Sequence, residues 1–188
     1  MVGSLGTEQV AGVAIANQLI FVFYLCIFGA VSGAGIFTAQ FFGSKNLDGV
    51  RNTFQLKLII NTCITLIGIA IFVIYGDRLM RQYLLGESNI GNVELAFYFG
   101  KNYIWIMMIG LLPFAWSQSI SSTLRECGET VSPMVASIAA VATNFILNLI
   151  LIFGLLGAPK LGSNGAAIAT VASRFVELGV LVVWVCLH

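Results

Sequence analysis

Between residues 10 and 42 the chain carries no charged side chain, a stretch longer than one crossing of a bilayer needs. A spanning helix takes about 20 mostly apolar residues. Four more runs of similar character follow, at 58–75, 102–124 (extendable back to Ala96), 133–156 and 165 to the end. Uncharged runs this long and this numerous exclude an ordinary water-soluble domain. Only 9% of the 188 residues are charged, against roughly a quarter in soluble proteins. The chain cannot clothe a globule in charge, so part of its solvent is lipid. The expected fold class is all-α, a polytopic membrane helix bundle of about five transmembrane helices. Residues 1–188 form one membrane domain, with no run between the spans long enough for a separate soluble domain.

The remaining composition narrows the function. The net charge is +1 and the nine lysines and arginines are scattered, so the clustered basic field that nucleic acid requires is lacking. Cys26, Cys63 and Cys186 lie in apolar runs and Cys127 in a short loop, with no metal-ligand spacing among them. They read as small apolar fillers. There is no HExxH or GxSxG motif, and the single histidine is His188, so an enzyme is not expected. "VGSLGTEQ" after Met1 is no signal peptide. The chain closes on "VVWVCLH", inside a hydrophobic run, and reads as a fragment of a longer transporter.

The segments between spans read as follows. Residues 43–57 form a polar loop whose Lys45, Arg51 and Lys57 argue for the cytoplasmic side. Residues 76–94 form a loop with charges of both signs, including a short interfacial helix at "LMRQYLL". "RECGETVSP" is a tight turn, with Pro133 suited to the first turn of the next helix. "GAPKLGSNG" is a turn by composition. Gly29 and Gly33 have GxxxG spacing, which predicts close helix packing. Pro113, in mid-span, predicts a kink because proline removes a backbone donor and crowds the preceding turn. Pro113, Gly29 and Gly33 are the candidate flex points.

Ionisable groups inside a span are functional candidates by default. Here they are Arg174 and Glu177, three residues apart and so neighbours on one helix, either neutralising each other or forming a gating pair. No lone intramembrane carboxylate is evident. Neutral oxygen is more plentiful: Thr143, Asn144, Asn148, Thr170 and Ser173. Asn144 and Asn148 stack on one face of the fourth span. Amide and hydroxyl oxygens are hard ligands suited to a hard cation. They also serve as interhelical glue, worth about 0.6 kcal/mol per contact. Spacing leaves both readings open.

The segment "SSTLRECGETVSPM", after a proline-containing helix, and "NFILNLILIFGLLGAPKLGSNGAAIAT" beyond it resemble the multidrug and toxic compound extrusion (MATE) transporters. "MVGSLGTEQVAG" and "AQFFGSKNLDGVRN" are similar to that family's early helices and second-to-third loop, so the likeness runs in order along nearly the whole chain. The resemblance implies two six-helix lobes around a central cavity. It implies a multi-pass plasma-membrane antiporter that exports bulky, often cationic drugs in exchange for Na⁺ or H⁺, without any other cofactor. The chain would then be helices two to six of the first lobe. Its partners would be the bilayer, a small-molecule drug, the first helix and the second lobe. The resemblance further implies a Na⁺ site at Asn144, Asn148 and Thr170, with the Ala166 backbone as an addition. An acid on the first helix would complete that site. The position of Asn148 is acidic in some members, which sets this chain apart from a purely proton-driven pattern. Two rival readings are a lipid-linked oligosaccharide flippase of related fold and a non-transporting membrane scaffold. The flippase reading is disfavoured because Arg174 is the sole base well inside a span.

Overall fold

A computed structural model describes residues 6–86, 92–153 and 161–187. Five helices account for almost all of them: α1 (Thr7–Gly43), α2 (Leu47–Gly86), α3 (Val93–Glu126), α4 (Val131–Phe153) and α5 (Gly162–Leu187). Each is long and apolar enough to cross a membrane. Helices suit this solvent because every backbone group bonds within its own segment.

The helix ends are chemically specified. Asn46 Oδ1 accepts from the Gly49 N–H at 3.0 Å, opening α2. Asn92 Oδ1 accepts from the Leu95 N–H at 3.1 Å, opening α3. The Glu129 carboxylate accepts from the N–H groups of Val131 and Ser132, opening α4. Side-chain oxygens here satisfy donors that a helix start leaves unpaired. At the end of α3, Glu129 N–H bonds Leu124 O and Gly128 N–H bonds Arg125 O, with Gly128 at φ +84°. That is a Schellman stop. α1 stops by the same pattern (Asn46 N–H to Phe41 O), yet Lys45 occupies the left-handed position at φ +58°.

α3 is the central element, packing against α1, α2 and α5, while α4 leans chiefly on α5. Between α1 and α3 lies the main core, with Ile15, Ala16, Leu19, Ile20, Phe23 and Ile27 facing Tyr103, Ile104, Met107, Leu111 and Phe114. Two glycines set the approach of these helices. A Cβ on Gly12 would stand 2.2 Å from the Ala96 carbonyl oxygen, and one on Gly100 would stand 2.7 Å from the Gly12 carbonyl oxygen. Large apolar residues such as Phe21, Ile36, Ile59, Ile67, Trp105 and Ile109 point outward. In water these would be an aggregation surface; in lipid they are ordinary solvation.

Several expectations are corrected. The polar stretch 43–57 is not a loop, because α2 begins at Leu47. Asn46 caps it and a run of helix-compatible polar residues fills its first turns. The interfacial helix expected at "LMRQYLL" is not a separate one, since α2 continues unbroken through it to Gly86. Met80 and Leu84 of that stretch are buried and tie it into the bundle. Among the described residues Gly29 and Gly33 pack against no other helix: a Cβ on either meets no atom within 4 Å, and both are exposed. α3 starts earlier than expected, at Val93, and runs continuously through buried Pro113. Ser117 Oγ donates to the Pro113 carbonyl at 2.6 Å in the following turn. Cys26, Cys63 and Cys186 are exposed on outward faces rather than packed as fillers. The expected turn at 157–165 lies outside the described residues up to residue 160, as do Glu87, Lys160, His188 and the end of the fourth span.

Candidate functional site

The polar side chains of α4 and α5 form one connected chain. Asn148 Nδ2 donates to Asn144 Oδ1 at 2.9 Å. Asn144 Nδ2 donates to Thr170 Oγ1 at 3.3 Å. Thr170 Oγ1 in turn donates to the Ala166 carbonyl at 2.9 Å. One helical turn separates each partner on its own helix, so the two faces align and the chain crosses from α4 to α5 once. Ser173 Oγ donates to the Thr170 carbonyl at 2.7 Å, whereas Thr143 folds back to the Ala139 carbonyl at 2.8 Å and contributes nothing across the interface. Asn144, Asn148 and Thr170, with the Ala166 carbonyl that the resemblance added, therefore lie in one hydrogen-bonded chain.

Asn148 Oδ1 is buried and accepts no hydrogen bond. A buried acceptor without a partner costs about 1–3 kcal/mol, so this atom has capacity for a positive ligand. Beside the amides runs an open groove of about 220 Å³ lined by Ala140, Val141, Asn144, Thr170, Ser173 and Arg174. No lining residue is acidic. The charge on its wall is Arg174, whose Nη1 donates to Glu177 at 3.1 Å. Its guanidinium carbon lies 4.7 Å from the Phe114 ring centroid. Four neutral oxygens can surround a cation but cannot neutralise it, so the donor set fits Na⁺ only with an anionic group from elsewhere. Turning the Asn144 amide toward a cation would also break its bond from Asn148.

A second polar cluster escaped the sequence reading. Thr53, Lys57, Asn61 and Thr65 recur every four residues on α2 and all are buried. Lys57, with no exposed side-chain surface, forms an ion pair with Glu126 of α3. It also donates to Thr123 Oγ1 at 3.3 Å and Ser122 Oγ at 3.4 Å. Ser122 Oγ donates to the other oxygen of the same carboxylate. One turn deeper, Asn61 Nδ2 donates to Ser119 Oγ at 2.6 Å. Gly35 of α1 closes the cluster, because a Cβ there would lie 2.3 Å from Glu126 Oε1. Next in chain after Glu126, Cys127 caps α3. Burial pushes its thiol pKa up, the Glu126 carboxylate adds to the rise and Lys57 opposes it.

The signal for this cluster was in the sequence: Thr-x₃-Lys-x₃-Asn-x₃-Thr, a four-residue polar period inside an apolar segment. Assigning Lys57 to a loop cut the period in two. The correction also removes Lys57 from the cytoplasmic-loop count, and Arg174 is no longer the sole base within a span. Yet Lys57 has no exposed side-chain surface and is paired with Glu126.

A family model described as MatE matches residues 1–150. The Thermotoga maritima protein named "Probable multidrug resistance protein NorM" is 29% identical over 95% of this chain and 37% of its own length. The Bacillus subtilis protein named "Probable multidrug resistance protein YoeA" is 31% identical over 96% of this chain and 37% of its own length. A second NorM protein, from Halalkalibacterium halodurans, is 28% identical over 97% and 38% respectively. The chain thus spans little more than a third of the relatives it matches. With the family model covering most of its residues in an all-helical bundle, the chain belongs to the MatE family.

Proposed function

We propose that this chain is part of the first lobe of a secondary active antiporter of the plasma membrane, exporting drugs in exchange for Na⁺ or H⁺. Helices α1 to α5 then correspond to helices two to six of that lobe. Asn144, Asn148, Thr170 and the Ala166 carbonyl form the neutral part of a cation site. The observation that carries this reading is Asn148 Oδ1, a buried oxygen left without a donor at the end of an amide–hydroxyl chain whose other members, Asn144 and Thr170, line an open groove. The amide chain also ties α4 to α5, and the unpartnered Asn148 Oδ1 is the capacity that this tie leaves over. The missing negative charge comes from a carboxylate beyond this chain.

A cation moving down its gradient supplies about 2.3 kcal/mol per charge per 100 mV. It shifts the lobe between two packings only by its difference in affinity for them. Breaking the Asn148-to-Asn144 bond on loading, and remaking it on release, is a local change that could bias them. Pro113, Gly29 and Gly33 remain the proposed flex points; the open space around both glycines supports freedom there rather than close packing. The flippase reading calls for bases lining a cavity for pyrophosphate, and Lys57 is buried while Arg174 is paired.

The test replaces Asn144 or Asn148 with Ala in the full-length protein and follows sodium-driven dye efflux from cells. Efflux should fall at least about tenfold, the loss that removal of about 1.4 kcal/mol of cation binding produces. Undiminished efflux at equal expression removes the site.

A further inference from the structure

α1 and α2 part along one side and leave an open groove of about 580 Å³ between them. Leu19, Val22 and Cys26 wall it on α1, and Ile64, Ile67 and Ile71 wall it on α2. Phe23 forms its floor, seated on Gly68, where a Cβ would stand 2.7 Å from the ring. The volume lies within the roughly 300–1,000 Å³ usual for ligand pockets. The groove does not stop where the apolar run of α2 does. α2 turns charged at Asp77 and Arg78, yet Leu79 and Tyr83 still line it. It therefore reaches from hydrocarbon to headgroup level, the two zones that an amphiphile occupies, with a tyrosine at the boundary where tyrosines collect. The charges flanking Arg78 on α2 are turned toward α3: Asp77 pairs with Lys101 at 2.6 Å and Arg81 with Glu94 at 2.8 Å. Arg78 is exposed and has no ion pair or hydrogen bond among the described residues. It lies eleven residues on from Ile67 and seven from Ile71, so it falls on the strip of α2 that walls the groove.

We infer that this groove is a site for one anionic phospholipid, with an acyl chain along Ile64 to Leu79 and the headgroup phosphate on the Arg78 guanidinium. The planar fork of a guanidinium matches phosphate geometry. A basic side chain near the membrane surface adds about a fivefold preference for an anionic lipid. The apolar walls take any lipid tail, and Arg78 selects the charge. A helix from elsewhere in the transporter is the rival occupant. An apolar helix seated here would leave the guanidinium without a counter-charge at the membrane, a cost that a phosphate removes.

The experiment titrates purified full-length protein in detergent with phosphatidylglycerol or phosphatidylcholine of matched acyl chains and counts retained lipids by native mass spectrometry. One phosphatidylglycerol should bind about fivefold more tightly than phosphatidylcholine. Arg78→Gln should erase that preference, and Arg78→Lys, which keeps the charge, should retain it. Cys26→Trp fills the groove from α1 and should weaken both lipids while leaving the preference between them. Cys26 and Arg78 are both exposed, so neither substitution disturbs the core. Parent protein that retains no more lipid than Cys26→Trp would mean that another part of the transporter covers the groove, and overturns the inference. An undiminished phosphatidylglycerol preference in Arg78→Gln overturns it as well, because the headgroup then sits elsewhere.

Discussion

Single residues in this bundle are judged by whether their polar atoms find partners, because lipid supplies none. Lys57 and Glu126 show the rule at its strictest. The lysine is fully enclosed, and the carboxylate is bonded through both oxygens by Lys57 and Ser122. Removing one member of such a pair leaves the other charge buried and alone, which typically costs about 3–5 kcal/mol. Glu126→Gln or Lys57→Met should therefore lower the thermal unfolding midpoint of the detergent-solubilised protein by a wide margin. The double substitution Lys57→Met/Glu126→Gln should recover much of the loss, since neither charge then remains. A double variant as unstable as the worse single one would show that packing, not charge, holds this corner. Arg174 and Glu177 contrast with that pair, because one member stays open to a groove.

At the scale of helices, close approach is decided by backbone contact rather than by motif. The GxxxG pair Gly29 and Gly33 faces open space, while Gly12 and Gly100, on different helices, meet each other's backbones. Gly12→Ala would push a methyl into the Ala96 carbonyl and force α1 away from α3. Overpacking of this kind costs about 1–3 kcal/mol. The expected result is a lower unfolding midpoint for Gly12→Ala and little change for Gly29→Ala or Gly33→Ala. The opposite ranking would mean that α1 packs on α3 by another face.

For the molecule as a whole, two thirds of its relatives' length has no counterpart in this chain. The groove beside Asn144 and Thr170 is open, and no carboxylate lines it. A cavity made by two lobes cannot be enclosed by part of one. Expression of residues 1–188 alone should insert into membranes yet confer no drug resistance and drive no efflux. Resistance above the empty-vector level would contradict the two-lobe architecture proposed here.

Residue order by itself determined that the chain lives in lipid, that it has five spans and that amides cluster at their fourth. Those properties follow from local apolarity and helical periodicity, which are written one turn at a time. The spacing of Asn144 and Asn148 gave the shared face directly, and Thr170 followed from the family resemblance. Three things were decided only by tertiary packing. Lys57 and Glu126, 69 positions apart, become one ion pair because α2 and α3 lie side by side with Gly35 of α1 leaving room for the carboxylate. The first turns of α2 are helical because Asn46 caps them and Gly49 packs against Phe41 of α1, although their composition is that of a loop. Arg174 faces a groove and Glu177 does not, a difference that three residues of spacing cannot encode. It depends on which neighbour, the Phe114 ring or the packed interior, each side chain meets once the helices have closed.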